Sequence, residues 1–273
     1  MRKVFLVAGM MFMLSVVSSR AYSWEVSVDD FMGYVNYIED ETVNGVNLKS
    51  DWGAFYNKTT IFLKDYDNEN FEGEARYGMS VTSTDQEKWH INDIEYQTND
   101  LSFWGVDTGF ALGWAIPIKS RDPGIMELLD ITIVPLVGYN WRYLRFTRTN
   151  FNIMNTITIA ETVDEYYNLH SIDVGCRLNV NVDEKFDIYL KPVFGILVYD
   201  SVNNSALGTV VGDGGFQANI ETGISYPIME NLSLDVAFRT ELQHLNGGKK
   251  GAVIWPDNTL NVFGGNVSVK YKF

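Results

Sequence analysis

Asn266-Val267-Ser268-Val269-Lys270-Tyr271-Lys272-Phe273 closes the chain, and its eight residues alternate strictly between polar and apolar side chains. Successive side chains of a β-strand point to opposite faces, so this stretch predicts a strand with one apolar and one polar face. The apolar positions are Val267, Val269, Tyr271 and Phe273.

The same two-residue period recurs along the rest of the chain. Seven further segments show it clearly, at about 71–82, 104–116, 131–143, 172–182, 186–199, 216–228 and 232–243. Two more, around 26–38 and 52–63, have the composition of strands but alternate poorly. We therefore count ten strands, of which eight alternate clearly. No segment after residue 24 has the length and apolarity of a transmembrane helix.

The lengths of the connections indicate how these strands are arranged. Short joins are expected near 64–70, 118–129, 183–185 and 229–231, and long ones near 37–51, 83–101, 149–162, 200–213 and 244–259. Short and long joins alternate, as they do in antiparallel up-and-down transmembrane β-barrels with an even number of strands. The predicted fold is therefore all-β, an antiparallel barrel of about ten strands.

The N-terminal segment has the three regions of a secretory signal peptide. Arg2 and Lys3 precede an apolar run at 4–17, and small or polar residues end at Ser23. The apolar run is shorter than the roughly 20 residues that a spanning helix needs. We expect residues 1–23 to be a signal peptide and 24–273 to be one barrel domain.

Composition excludes several classes of function. The chain of 273 residues has 21 Lys and Arg against 35 Asp and Glu, a formal charge of -14. Nucleic-acid binding needs clustered bases, so this class is excluded. One Cys and three His leave no disulfide framework and no Cys-based metal site. We predict no cofactor and no metal.

Over residues 24–273 the chain resembles the small bacterial outer-membrane β-barrel proteins. Its ending, with Phe273 preceded by apolar residues at every second position, looks like their assembly signal. The strand count is similar to that of the omptin-like barrels, and the size to that of the opacity and OmpW-like barrels. The resemblance implies location in the bacterial outer membrane with both termini in the periplasm. The implied partners are outer-membrane lipid and the barrel-assembly machinery, and an extracellular partner stays unknown.

A soluble barrel of the lipocalin kind is the alternative to a membrane barrel, and it would turn the apolar faces inward. Aromatic residues bracket the apolar faces, which is typical of membrane interfaces. Those predicted at the periplasmic end are Trp114, Phe186, Tyr226, Tyr271 and Phe273, and those at the outer end are Trp104, Trp141 and Tyr143.

The polar faces then predict a charged lumen. Acids and bases on them nearly balance, and the candidate network comprises Glu72, Glu74, Arg76, Asp107, Arg142, Asp173, Arg177, Asp187, Lys191, Glu221, Asp235, Arg239, Glu241 and Lys270. Mutual ion pairs that fill a narrow barrel are the simpler interpretation. A narrow path for small solutes is the alternative. Inward Gly105, Gly109 and Gly113 are compatible with free space or with close packing.

No catalytic constellation is predicted. Omptin-like proteases pair an Asp-His couple with two close aspartates, but Asp65-Tyr66-Asp67 lies in an expected periplasmic turn, and His244 has no Asp nearby in sequence. His170 and Ser171 are adjacent in a strand, so their side chains point to opposite faces. His90 is expected in the middle of a loop.

The outer loops are acidic, with Glu39, Asp40 and Glu41 in the first, Asp85, Glu87, Asp93, Glu95 and Asp100 in the second, and Glu161, Asp164 and Glu165 in the third. Solvated charge is the expected role, with a bridging divalent cation as an alternative. The predicted function is a structural, binding or adhesion role on a filled barrel. A narrow pore is the main alternative, and a hydrolase at the rim a lesser one.

Overall fold

A computed structural model of the protein describes residues 24–43, 45–68, 70–118, 129–154, 156–159, 161–182, 185–250 and 253–273. The predicted signal peptide and most of the predicted turn at 118–129 lie outside the described residues. The described residues include no helix that is long and apolar enough to span a membrane.

Ten long strands form the molecule. They are β1 (Trp24–Val43), β2 (Val46–Asn68), β3 (Phe71–Thr82, continued by Asp85–Ile91), β4 (Ile94–Trp114, continued by Ile116–Ile118), β5 (Leu129–Ile153), β6 (Val163–Val182), β7 (Phe186–Asn204), β8 (Gly215–Met229), β9 (Leu232–Leu245) and β10 (Asp257–Lys272). Short strands at Ile157–Ile159, Gly208–Val211, Gly248–Lys250 and Val253–Trp255 extend the connections.

Each strand pairs with its neighbours in sequence in antiparallel fashion, and β10 pairs with β1 to close the sheet. The closing register runs from Glu25 opposite Lys272 to Asp40 opposite Asp257. Closure gives each of the ten long strands a partner on both sides, which is what a membrane-spanning sheet requires. The predicted ten-stranded antiparallel barrel is confirmed.

The two ends of the barrel differ. The terminal end carries Trp24 and Phe273, whose backbone groups form a hydrogen bond of 2.8 Å. The opposite end, which we call the hairpin end, carries the last pair of β1 and β2, Val43 with Val46, and the turn between β3 and β4. Asn92 and Asp93 form that turn, and both have positive φ, at 47° and 65°. Two central residues with positive φ give a two-residue turn that matches the twist of the flanking strands.

Side-chain polarity inverts along the strands. Nearer the terminal end of β1, Val28 and Met32 face outward and Asp29 faces the lumen. Nearer the hairpin end, Asp40 is exposed, whereas Val35 and Tyr37 are buried inside. We call the outward apolar zone, which spans 26–34 on β1 and 55–63 on β2, the apolar belt. Above the belt the barrel continues with a polar exterior and an apolar interior, as in a soluble barrel.

This continuation corrects the predicted long loops. Residues 37–51 and 83–101 lie almost entirely in strands, because the strands of the barrel extend well beyond the apolar belt. β1 and β2 alternate poorly in sequence for the same reason. Towards the hairpin end their inner row becomes mainly apolar and their outer row becomes mainly polar, so the parity of the pattern switches partway along each strand.

Candidate functional site

Ion pairs cross the lumen at the level of the apolar belt. Arg177 on β6 bonds to Glu72 on β3 at 2.5 Å, and Arg76 on β3 lies 3.3 Å from Asp173 on β6. Lys191 on β7 lies 3.3 Å from Glu74. These strands are not neighbours in the sheet, so the pairs span the interior of the barrel and fill it.

The structure places all the sequence-predicted network residues in the lumen, and it brings most of them together in pairs. Besides the pairs above, Arg142 contacts Glu241, Arg239 contacts Glu221, and Lys270 contacts Asp235. Asp187 instead accepts a hydrogen bond of 2.8 Å from the side-chain amide of Asn181.

Sequence reasoning missed the lumen residues of β1 and β2. Lys58 pairs with Asp107 at 2.5 Å, and Asp29 lies 3.7 Å from Arg239. Lys64 lies 3.7 Å from Glu74. The signal for these residues was the same two-residue period, but it was hidden because the inner row of both strands also holds apolar residues such as Phe31 and Phe62.

The inward glycines of β4 serve close packing. A Cβ atom at Gly109 would lie 2.7 Å from the carbonyl oxygen of Tyr139, and one at Gly113 would lie 2.8 Å from side-chain carbons of Leu136 and Val134. Real Cβ atoms do not approach other atoms so closely. Close packing of β4 against β5 therefore accounts for glycine at these positions.

Open space in the lumen lies towards the terminal end. A cavity of about 290 Å³ is lined there by polar groups that include Ser27, Tyr189, Asp235 and Lys270. Nearer the hairpin end, the space between Lys58, Asp107, Arg142 and Glu241 is only about 60 Å³. The lumen therefore narrows away from the terminal end.

Beyond the ion pairs, a layer of aromatic side chains occupies the interior. Phe103 and Phe146 are its centre, with ring centroids 4.9 Å apart. Tyr37 and Tyr167 pack on Phe146 at 4.9 Å and 5.2 Å, and Trp52 lies 6.0 Å from Phe103. Aliphatic side chains complete the layer around the barrel: Val35, Leu101, Leu144, Leu169, Leu197, Leu245, Leu260 and Val262. We call this set the aromatic layer.

A buried charge cluster lies next to the aromatic layer, above the apolar belt. Arg148 on β5 bonds to Glu87 through Nε at 2.6 Å and to Glu39 through Nη2 at 3.0 Å, and it also contacts Glu165. The three carboxylates are 0%, 2% and 4% exposed. We call Arg148, Glu39, Glu87 and Glu165 the Arg148 cluster. The prediction that the acids of this region are solvated is wrong for these three.

The hydrogen bonds of the cluster are unequal. Glu87 accepts two bonds from Arg148 and further bonds from Ser50 and Asn99, at 3.1 Å and 2.8 Å. Glu39 accepts one bond from Arg148 and one of 2.5 Å from the hydroxyl of Tyr37. Glu87 therefore accepts more hydrogen bonds than Glu39 does.

The difference in hydrogen bonding determines which of the three carboxylates is ionised. Burial opposes ionisation of Glu87, but Arg148 and the other donors outweigh it, so the pKa of Glu87 lies below its ordinary value. Burial raises the pKa of Glu39 to about 7, since Arg148 offsets it only in part and two further carboxylates are close. Burial likewise raises the pKa of Glu165. One guanidinium therefore does not keep three carboxylates ionised at neutral pH.

The outer surface of the hairpin end is acidic. Its exposed acids are Asp40, Asp85, Asp93, Glu95, Glu161, Asp213 and Asp257, whereas the exposed bases among the described side chains there are Lys88 and Lys249. Each of the three histidines also lies on the outer face. His90 lies 3.6 Å from Asp51, His170 bonds to Tyr139, and His244 bonds to Thr259 at 3.0 Å.

These positions bear on the enzyme hypothesis. His90 lies in β3 and not in a loop, and its Asp51 partner is on the exterior of the barrel. His170 faces outward while Ser171 is buried in the lumen, as predicted. Asp65 pairs with Trp24 at the terminal end. Within the described ranges, no group of three or more His, Cys, Asp or Glu side chains is placed to hold a metal ion.

Comparison with solved structures identifies the fold. The barrel superposes on the outer membrane protease OmpT from Escherichia coli with a TM-score of 0.61 and 9% sequence identity, covering 94% of this chain and 99% of that one. It also matches the translocator domain of the autotransporter NalP from Neisseria meningitidis, with a TM-score of 0.40 and 14% identity over 100% of this chain and 98% of that one. No family model and no curated protein sequence matches the chain.

The chain therefore has the fold of the small bacterial outer-membrane β-barrels, which confirms the resemblance drawn from the sequence. Its ten long strands match nearly the whole length of OmpT. A structural match at 9% sequence identity shows a shared fold and does not show a shared function. The specific role must be argued from the lumen and the hairpin end.

Proposed function

We propose that the protein is a closed outer-membrane barrel that displays the hairpin end outside the cell as an acidic binding surface. In this orientation both termini lie in the periplasm, as the assembly signal predicted from the sequence requires. The apolar belt contacts lipid, and the strands that extend beyond it form the exposed part of the molecule.

The aromatic layer is the observation that carries the proposal. Its rings and aliphatic side chains come from eight of the ten strands, all except β3 and β8, so it extends around most of the lumen. Phe146 and Tyr37 are each 1% exposed. Water and ions would have to pass an apolar layer that is packed like a protein core. A narrow solute pore, the alternative, would need this layer to open.

The charge of the hairpin end supports a binding role. Exposed carboxylates outnumber exposed bases there, whereas the lumen charges are paired with one another. A surface of one sign attracts oppositely charged partners in a salt-dependent way. The partner that fits this surface is a cationic protein or peptide. We assign no catalytic role, because the three histidines contact Asp51, Tyr139 and Thr259 on the outer face and form no shared site.

Planar-bilayer conductance of the purified protein tests the closed lumen. We expect no unitary conductance from the natural chain and the appearance of channels when Phe103→Ala and Phe146→Ala are combined. Phe110→Ala is the matched control, because Phe110 lies on β4 like Phe103 but is 55% exposed on the outer face. Reproducible channels from the natural chain, altered by Arg177→Ala or Asp235→Ala, would establish the pore instead.

Binding of a fluorescent oligolysine peptide to the protein in neutral-lipid nanodiscs tests the acidic surface. Binding should weaken with salt and with the combined change Asp85→Asn, Asp93→Asn and Glu95→Gln. Glu230→Gln, at the terminal end, should leave it unchanged. Equal loss in both variants would locate the binding elsewhere and contradict the proposal.

A further inference from the structure

The hairpin that follows β5 carries exposed apolar side chains. The last residues of β5 pair with the short strand Ile157–Ile159, with Phe151 opposite Ile159 and Ile153 opposite Ile157. Directly paired residues lie on the same face of a sheet, as do residues two apart, so these four apolar side chains share one face. Ile157 and Ile159 are 56% and 39% exposed. We call Phe151, Ile153, Ile157 and Ile159 the Ile157 face.

The Ile157 face lies on the lumen side of the sheet. Ile153 is directly paired with Gln97 on β4, and Gln97 is directly paired with Trp89 on β3. The indole ring of Trp89 packs against the guanidinium of Arg148, with 5.6 Å between the ring centroid and Cζ. Arg148 is buried inside the barrel, so the whole row from Trp89 to Ile157 is on the inner side, at the mouth of the hairpin end.

Two acidic side chains at opposite ends of the Ile157 face have no partner. Asp93 lies in the turn between β3 and β4, beyond the tip of the hairpin, and Glu161 follows Ile159 by two residues. Both are exposed, and neither forms an ion pair or a side-chain hydrogen bond with another described residue. The carboxylates of the lumen network are bonded within the chain, whereas these two are available to a partner.

We propose that the Ile157 face is the docking site for an amphipathic segment of the cationic partner, in which apolar residues lie between basic ones. The inference rests on the acidic binding surface proposed above and adds an apolar contact to it. The apolar residues of the segment cover Ile157 and Ile159, and its basic residues pair with Asp93 and Glu161. Exposed apolar surface rimmed by polar groups is typical of such sites.

The position of the Ile157 face argues against other occupants. Lipid contacts the outer surface of the barrel at the apolar belt, whereas this face lies on the lumen side and beyond the belt. A second copy in the same membrane also approaches through its outer surface, and its acidic hairpin end opposes the same charge. A segment that arrives from outside the cell reaches the face from the hairpin end, where the free carboxylates favour basic residues.

Two peptides of equal charge test the proposal with the protein in neutral-lipid nanodiscs. Lys-Lys-Leu-Val-Leu-Lys-Lys should bind about tenfold more tightly than Lys-Lys-Ser-Thr-Ser-Lys-Lys, because only the first buries apolar surface against the Ile157 face. Ile157→Thr combined with Ile159→Thr should abolish this preference and leave binding of the serine peptide unchanged. Leu207→Thr combined with Val211→Thr is the matched control, since these residues are 55% and 57% exposed in the connection between β7 and β8. Empty nanodiscs give the background from lipid.

The outcomes separate this inference from the proposed function. Equal affinity for the two peptides would overturn the amphipathic partner and leave the acidic surface in place. Binding of neither peptide would overturn the acidic surface and this inference with it. Equal loss of the preference in the two double variants would show that the apolar contact lies elsewhere, which would also overturn the docking site.

A fluorophore on the hairpin locates the contact without the double variants. In a Cys176→Ala background, bimane attached to Ile157→Cys should be quenched by the apolar peptide when Trp replaces its central Val. Bimane attached to Thr158→Cys should be quenched much less, because adjacent residues of a strand point to opposite faces. Equal quenching at the two positions, or quenching at neither, would overturn the proposal.

Discussion

Arg148 is bonded to three buried carboxylates, so its removal should destabilise the hairpin end more than any other single charge change in that region. Arg148→Met leaves Glu39, Glu87 and Glu165 buried without their counter-charge, which typically costs about 3 to 5 kcal/mol. Arg145→Met is the control, because Arg145 lies on the same strand but its side chain is 35% exposed and pairs with Asp164 at the surface. Such pairs contribute roughly 0 to 1 kcal/mol. Urea unfolding in lipid vesicles measures both, and similar losses would contradict the central role of Arg148.

Glu39 should make stability depend on pH near neutrality. Its pKa is about 7 in the folded protein against an ordinary value of 4.5, so folding favours the protonated form. The stability that this proton provides is fully present below pH 4.5 and is lost as the pH rises through 7. Relative to Glu39→Gln, which cannot ionise, the natural chain should lose up to about 3 kcal/mol over that interval.

The measurement is the difference in unfolding free energy between the natural chain and Glu39→Gln at pH 4.5 and at pH 8. Asp40→Asn serves as control, since Asp40 is the exposed neighbour on the same strand, and it should show no such difference. A constant difference for Glu39→Gln across the range would mean that Glu39 is ionised throughout.

Individual strands show how far the sequence predicts the structure. β9 was predicted almost completely, because its outward residues Val236 and Phe238 and its inward residues Asp235, Arg239 and Glu241 keep one parity along most of the strand. β1 and β2 show the composition of strands but little alternation in sequence, since their parity switches where the exterior passes from lipid to water. The aromatic layer and the Arg148 cluster were missed for the same reason: they lie where an outward-apolar pattern no longer applies.

The parity of β9 gives a direct test at the level of one strand. Single cysteines from Ser233 to Glu241 in a Cys176→Ala background should react alternately with a bilayer-soluble and a water-soluble thiol reagent. Val236→Arg should impair insertion, because a charge on the lipid face at mid-membrane costs roughly 2 to 4 kcal/mol. Ala237→Ser, on the lumen face, should insert normally. Labelling without a two-residue period would contradict the face assignment of this strand, and with it the placement of Asp235, Arg239 and Glu241 in the lumen.

At the scale of the whole molecule, one closed sheet has an apolar exterior with a charged lumen at the belt, and a polar exterior with an apolar interior towards the hairpin end. The sequence predicted the closed ten-stranded sheet, since strand count and joins follow from local patterns. It could not predict the pairs that cross the lumen, such as Arg177 with Glu72, because these residues are distant in sequence and only closure brings them together. The level along the barrel at which the outward residues change from apolar to polar is likewise a property of the assembled barrel.

Assembly of this barrel should depend on Phe273 more than its finished stability does. The side chain of Phe273 is 68% exposed and packs mainly on Tyr271, at 4.9 Å between ring centroids. Its loss therefore removes little packing from the folded barrel, whereas the predicted assembly signal at Val267, Val269, Tyr271 and Phe273 loses its terminal aromatic group. Phe273→Ala should lower the amount of heat-modifiable barrel in the outer membrane and leave the urea midpoint of the assembled fraction nearly unchanged. Tyr226→Ala, at an outward position that is 57% exposed on an internal strand, should leave assembly intact; equal losses in the two variants would show that Phe273 acts only as one more interfacial aromatic residue.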